Sequence, residues 1–131
     1  MTLDTGDLSL EQLNAMLLAI PMDLTFTDEN DITRYYSERE DLIFSRDPDL
    51  IGTDVRDCHS DKSLPGVEQM LGDLKSGKHD YFEAWRDNHN GRFIHTRYIA
   101  ARDSSGKFVG CLETTQDVTE IRGLAGNKDA L

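Results

Sequence analysis

The feature that most narrows what this chain can fold into lies near its end. Three strand-length segments, residues 79–86, 92–102 and 107–118, follow one another with only turn residues between them. Asn88-His89-Asn90-Gly91 separates the first two, and Ser104-Ser105-Gly106 the second and third. Asn and Gly accept the left-handed backbone that tight reversals demand. Strands joined this closely pair antiparallel, because a parallel return needs a crossover of about a dozen residues. Upstream, Met22, Leu24 and Phe26 alternate with Asp23, Thr25 and Thr27, the period of a half-buried strand. Asp28-Glu29-Asn30-Asp31 then supplies a turn, and residues 32–37 resume as a second strand, so a further antiparallel hairpin is predicted there.

Helical signals fill the remainder. Ser9 with Gln12 forms a capping-box pattern, and Leu10, Leu13, Met16, Leu17 and Ile20 recur at spacings that share one helical stripe. Pro21 ends that helix, since the residue before a proline avoids the α region. Ser37 is placed to cap a short helix through Phe44, Asp47-Pro48 is a second start signal, and Gly52 closes it. A longer helix is predicted over 64–76, with Val67, Met70, Leu71 and Leu74 as its apolar stripe and Gly77 as its stop. Residues 1–8 read as a flexible lead, 9–122 as a single domain and 123–131 as a frayed tail. At 131 residues the chain has room for one core.

Composition removes several function classes. The formal net charge is -11 and Lys and Arg are nowhere clustered, which disfavours nucleic-acid phosphates and anionic lipid surfaces as partners. No stretch approaches the ~20 apolar residues that cross a bilayer, and the N-terminus carries no signal-peptide pattern. Cys58 and Cys111 do not form a metal-type pair and read as reduced thiols of a cytoplasmic protein. A nucleophile elbow, a phosphate-binding Gly-rich loop and a His-Glu-x-x-His pattern are all missing, so no enzyme is expected. The one catalytic contender is Glu83 with His95, a pair of the kind a small α+β acid–base enzyme would use.

The element order, helix, two strands, short helices, one longer helix and three long strands, resembles that of a PAS domain. Local strings carry the resemblance further. Residues 23–31 are similar to the opening PAS hairpin, Gly106-Lys107-Phe108-Val109-Gly110 to the entry of the last strand, and Gln116-Asp117-Val118-Thr119-Glu120 to its Asp-hydrophobic-Thr ending. Arg56-Asp57-Cys58-His59-Ser60 and the run from Gly91 to Tyr98 are similar to a bacterial and archaeal PAS subfamily that often follows a hemerythrin-like helical domain. No hemerythrin-like segment occurs in this sequence. The resemblance implies an α+β fold in which a five-stranded antiparallel sheet, with helices packed on one face and an N-terminal amphipathic helix, cups a small cavity. It also implies a sensory role, with Asp117 and Thr119 at the junction that passes the signal onward.

Within such a cavity Cys58-His59 is the sharpest chemical candidate. Thiolate and imidazole both ligate iron or zinc, and PAS domains that bind haem use a side chain from this helical side, so His59 is a candidate axial haem ligand. The competing reading has His59 bonding its own loop while Cys58 packs inside. Ile94, Thr96 and Tyr98 share one face of their strand and suit a pocket wall. Met70, spaced as a core residue, is counted with them and with Cys58 and His59 among the residues around the cofactor site. His95 and Arg97 share the other face and, with Glu83, make either an ion-paired cluster or a carboxylate grip. Tyr81, Phe82 and Trp85 read as core or as cover for the first helix. Covalent flavin photochemistry is rejected, because Gly52-Thr53-Asp54-Val55 stands where that motif belongs and Cys58 comes three residues too late; a non-covalent flavin stays open. The expected partner is therefore a small molecule or haem, with homodimerisation through residues 9–20. A ligand-free interaction module is the alternative.

Overall fold

A computed structural model describes residues 1–131. Thr2–Leu3 (β1) and Gly6–Asp7 (β2) pair as a minimal antiparallel ribbon where a flexible lead is predicted, closed by the Leu8 N–H donating to the Met1 carbonyl at 2.9 Å. Helix α1 (Leu10–Ala19) starts on the predicted capping box: Ser9 Oγ accepts from Gln12 N and Gln12 Oε1 from Ser9 N, both at 3.0 Å. Strands β3 (Asp23–Asp28) and β4 (Thr33–Tyr36) form the first hairpin. Asp28 holds its turn by accepting from Asn30 N and Ile32 N, while Asp31 takes the left-handed conformation at φ 65.

Helix α2 (Leu64–Ser76) ends at Gly77, whose φ of 82 supplies the left-handed C-cap. Strands β5 (Tyr81–His89), β6 (Arg92–Arg102) and β7 (Phe108–Asp117) follow. The sheet runs β4-β3-β7-β6-β5, antiparallel throughout, so the last strand lies at the centre and stitches the two hairpin blocks together. β3 crosses β7 closely at Gly110, where a Cβ would collide with the Phe26 ring and the Thr27 carbonyl.

The sheet has two unlike faces. On the concave face, Leu71 and Leu74 of α2 pack with Phe108 and Cys111, flanked by Val55, Val67, Phe82 and Ala100. Arg102 fixes the helix end by donating to the Leu74 carbonyl at 2.6 Å. On the convex face Tyr81 and Trp85 stand exposed, and Phe82 alone of that aromatic stretch joins the core. Only 14 of the 131 residues are buried, because much of the convex face is exposed and the concave face encloses open space.

The segment after Ser37 differs from its prediction. No helix forms after Ser37, because its backbone and hydroxyl are committed elsewhere. Ser37 N donates to the Leu24 carbonyl and Ser37 Oγ accepts from Leu24 N, both at 2.9 Å, locking the residue to β3. The segment 38–46 is instead an irregular strap across the concave face. Helix α1, although amphipathic, buries none of its residues; Leu10 is 70% exposed and Met16 47%.

Candidate functional site

The space between α2 and the sheet is a cavity of about 510 Å³. Val67, Met70 and Leu71 form an apolar roof on successive turns of α2. The floor comes from the three central strands, with Thr25 and Thr27 on β3, Cys111 and Glu113 on β7 and Tyr98 on β6. Register explains this grouping: Glu113 lies opposite Thr25 on one side and Tyr98 on the other, and cross-strand partners share a face. Thus it is the polar stripe of β3 that faces the cavity, while Leu24 is buried on the reverse side. Cys58 and His59 stand at the rim, where a 3-10 turn (Val55–Cys58) ends.

Electrostatics centre on Glu113. Burial pushes its carboxyl above the ordinary carboxylate value, with Arg46 and His59 pulling the other way. Arg46 reaches in from the strap, its guanidinium 3.5 Å from Glu113 Oε1 and its Nε 3.4 Å from Thr25 Oγ1. Both contacts lie at the long limit of hydrogen bonding, so the carboxylate is loosely held. Burial also pushes the Tyr98 phenol and the Cys111 thiol up to about 12, reinforced in both by the Glu113 charge. Cys111 is therefore a protonated thiol at neutral pH and a poor metal ligand.

A second charged cluster sets the rim. Arg56 donates to Asp31 at 2.9 Å, to Asp54 at 3.0 Å and, with both arms of its fork, to Glu68. These bonds raise its pKa further and tie the β3–β4 turn and the 3-10 turn to α2. Lys75 adds a 2.8 Å bond to the same Asp31 oxygen, while the other oxygen of this buried carboxylate has no partner. Cys58-His59 owes its position to this anchor.

The predicted site residues thus divide. Cys58, His59, Met70 and Tyr98 line the cavity; Ile94 and Thr96 do not. Both are buried on the concave side beyond its end, where Thr96 Oγ1 meets Thr115 Oγ1 at 3.2 Å. The strap is fastened to the strands at either side: Ile43 N donates to Asp23 of β3 at 2.6 Å, and Phe44 stacks edge-on against His89 of β5. Glu83, His95 and Arg97 lie on the convex face, with His95 Nε2 2.7 Å and Arg97 Nε 3.8 Å from Glu83 Oε2. The acid–base pair weighed as an enzyme centre is therefore remote from the cavity. Arg46 and Glu113 were not foreseen. Glu113 is two residues from Cys111 on one strand face, a signal that alternation carries; Arg46 sits in aperiodic chain and leaves none.

Asp117 Oδ1 accepts from Thr119 N at 3.0 Å and Thr119 Oγ1 at 2.5 Å, and Thr119 Oγ1 accepts from Phe93 N at 2.8 Å. These bonds hold the Asp117 carboxyl below its ordinary value and fasten the end of β7 to the start of β6. Haem fits this lining poorly. His59, the one imidazole of the lining, is exposed at the rim, and an apolar macrocycle would cover Glu113 without offering it a donor.

A five-stranded antiparallel sheet with a helix packed over a small cavity places the chain in the α+β class. The chain belongs to the PAS domain family, whose signature matches residues 13–119. It is similar to the C-terminal domain of a Streptococcus mutans protein, at 32% identity over 95% of this chain and 96% of that one, with a TM-score of 0.89. The PAS domain of Bordetella pertussis BvgS superposes with a TM-score of 0.61 at 15% identity, covering 85% and 87%. A sensory box sensor histidine kinase from Vibrio cholerae does so at 0.55 and 11%, covering 82% and 89%. No curated protein matches the chain. PAS domains are sensory signalling modules and typically non-catalytic.

Proposed function

We propose that this PAS domain senses a small molecule held in the cavity and passes a conformational bias to its termini. The observation that carries this reading is the strap at 38–46, which touches the cavity and both exits. Arg46 contacts Glu113 inside, and Ile43 binds Asp23 at the start of β3. Arg39 donates to the carbonyls of Ile20 and Met22, directly after α1. A small cleft brings Arg39 and Pro21 beside Asp117 at the end of β7. A ligand that binds one strap position better than another shifts the population of both ends. Native mass spectrometry with a visible spectrum of the purified protein tests the reading. A small molecule retained in wild type and lost in Tyr98→Ala supports it; an empty, colourless protein that no small molecule stabilises against heat sinks it. A Soret band lost in His59→Ala would instead restore haem.

The exposed stripe of α1 favours a second element, a homodimer formed through residues 9–20, since such an apolar face is costly to leave in water. Sedimentation of wild type against Leu10→Glu/Met16→Glu separates dimer from monomer. A cytoplasmic setting accords with two free cysteines, and no helix is long and apolar enough to cross a membrane. Membership of the hemerythrin-associated subfamily rests on the runs from Arg56 to Ser60 and from Gly91 to Tyr98, and a hemerythrin-like helical partner is the output it would suggest.

A further inference from the structure

We infer that the cavity takes a compact, neutral, largely apolar molecule whose one polar edge sets a hydrogen-bond donor beside an acceptor, as a carboxamide or lactam does. The donor would face Glu113 and the acceptor Arg46. This deepens the sensory reading and rests on it.

Three observations converge. The first is unmet hydrogen-bonding capacity. A carboxylate has about four acceptor sites, yet Glu113 receives one contact at 3.5 Å, and Arg46 spends its remaining reach on Thr25 at 3.4 Å. Both groups face the cavity, and the Tyr98 hydroxyl beside them has no partner in the protein. The second is charge. Glu113 and Arg46 cancel, so a ligand cation would meet Arg46, and a ligand anion would meet Glu113. An adjacent N–H and C=O satisfies both groups without adding charge to a low-dielectric space. The third is shape: the roof of Val67, Met70 and Leu71 offers apolar surface only, and about 510 Å³ suits a small ring-bearing body.

A matched probe series on one benzyl body decides it: phenylacetamide, phenylacetate, phenethylamine and ethylbenzene, titrated into the full chain at pH 7 and followed by amide shifts in two-dimensional NMR. Phenylacetamide is expected to bind in the cavity about tenfold or more tighter than each of the other three, the discrimination that unmatched buried polar groups impose. Arg46→Met and Glu113→Leu should each erase most of that preference over ethylbenzene while leaving ethylbenzene affinity within about threefold. Should Glu113→Leu fail to fold, Arg46→Met alone carries the test. Equal or tighter binding of the anion, the amine or the hydrocarbon overturns the inference and leaves the sensory reading intact. Failure of all four to shift cavity resonances overturns the inference, and an empty protein in the native spectrum would remove the sensory reading with it.

Discussion

The two faces of the sheet each carry a glutamate with cationic neighbours, and the pair is instructive because geometry and consequence run in opposite directions. On the convex face Glu83 meets His95 at 2.7 Å, a well-formed contact open to water. On the concave face Glu113 meets Arg46 at 3.5 Å, a poorer contact whose side chains are 23% and 22% exposed, against 35% for Glu83 and 26% for His95. A charge–charge energy scales inversely with the local dielectric as well as with distance, so the longer, drier pair has more influence on stability and on what can bind. Burial, and not hydrogen-bond length, ranks the clusters.

Substitutions on the two faces should therefore differ in size. The largest effect belongs to Leu74→Ala. Leu74 is fully buried where α2 meets the sheet, and its truncation is expected to cost about 3 kcal/mol in urea denaturation, from lost burial and the cavity left behind. Next comes Arg56→Ala, which leaves the buried Asp31 with Lys75 as its one cation and frees Asp54 and Glu68. A loss of about 2 kcal/mol is expected. Its amide-exchange footprint should fall on the rim around Cys58 and His59. A loss no larger than that of a surface salt bridge would show the Asp31 anchor to be replaceable.

Glu113→Gln should act in the opposite direction. The folded-state carboxyl holds its proton more tightly than the unfolded one, because burial dominates over Arg46. The native state then binds more protons than the unfolded chain above the ordinary value of 4.5, and stability falls as pH rises through that window until the native group has also ionised. The amide removes this penalty. Thermal unfolding should show the variant more stable than wild type at pH 7, with the two proteins converging as the pH falls below the ordinary value of 4.5. A variant less stable at neutral pH would mean that Arg46 outweighs burial, and the ranking of the two faces would lose its basis.

What the sequence disclosed follows the same division between local and long-range physics. The run 64–76 was readable because its stripe lies within it and its Gly77 stop directly after it. β6 was readable because its turns carry Asn and Gly at positions with positive φ. The Ser37 signal misled, since a hydroxyl that caps a helix equally well accepts from a neighbouring strand, and only the Leu24 partner decides which. Alternation placed Tyr98 and Thr96 on one face, yet whether a wall residue borders open space or packed chain depends on where the strap crosses, fixed by contacts such as Arg46 with Glu113, 67 residues apart in sequence. Arg46 was hidden for that reason. The α1 stripe shows the same limit from the other side: periodicity reports that an apolar face exists and leaves its cover undetermined.

The smallest effect is expected from Glu83→Gln on the convex face, and its smallness is what gives the comparison its edge. Glu83 accepts from His95 and lies near Arg97, which also sits over the Tyr81 ring at 4.8 Å. All these groups are partly solvated, so water replaces whatever the substitution removes, and the change should stay below about 0.5 kcal/mol at any pH from 5 to 8. Raising salt from low ionic strength to about 0.5 M should shrink it further, whereas the Glu113→Gln difference should persist, since ions screen exposed charges and hardly reach the cavity floor. If instead Glu83→Gln proved costly and salt-insensitive, the convex face would have to be dry in solution. A second copy of the chain covering Tyr81 and Trp85 would make it so, and dilution below the dissociation constant should then abolish the cost.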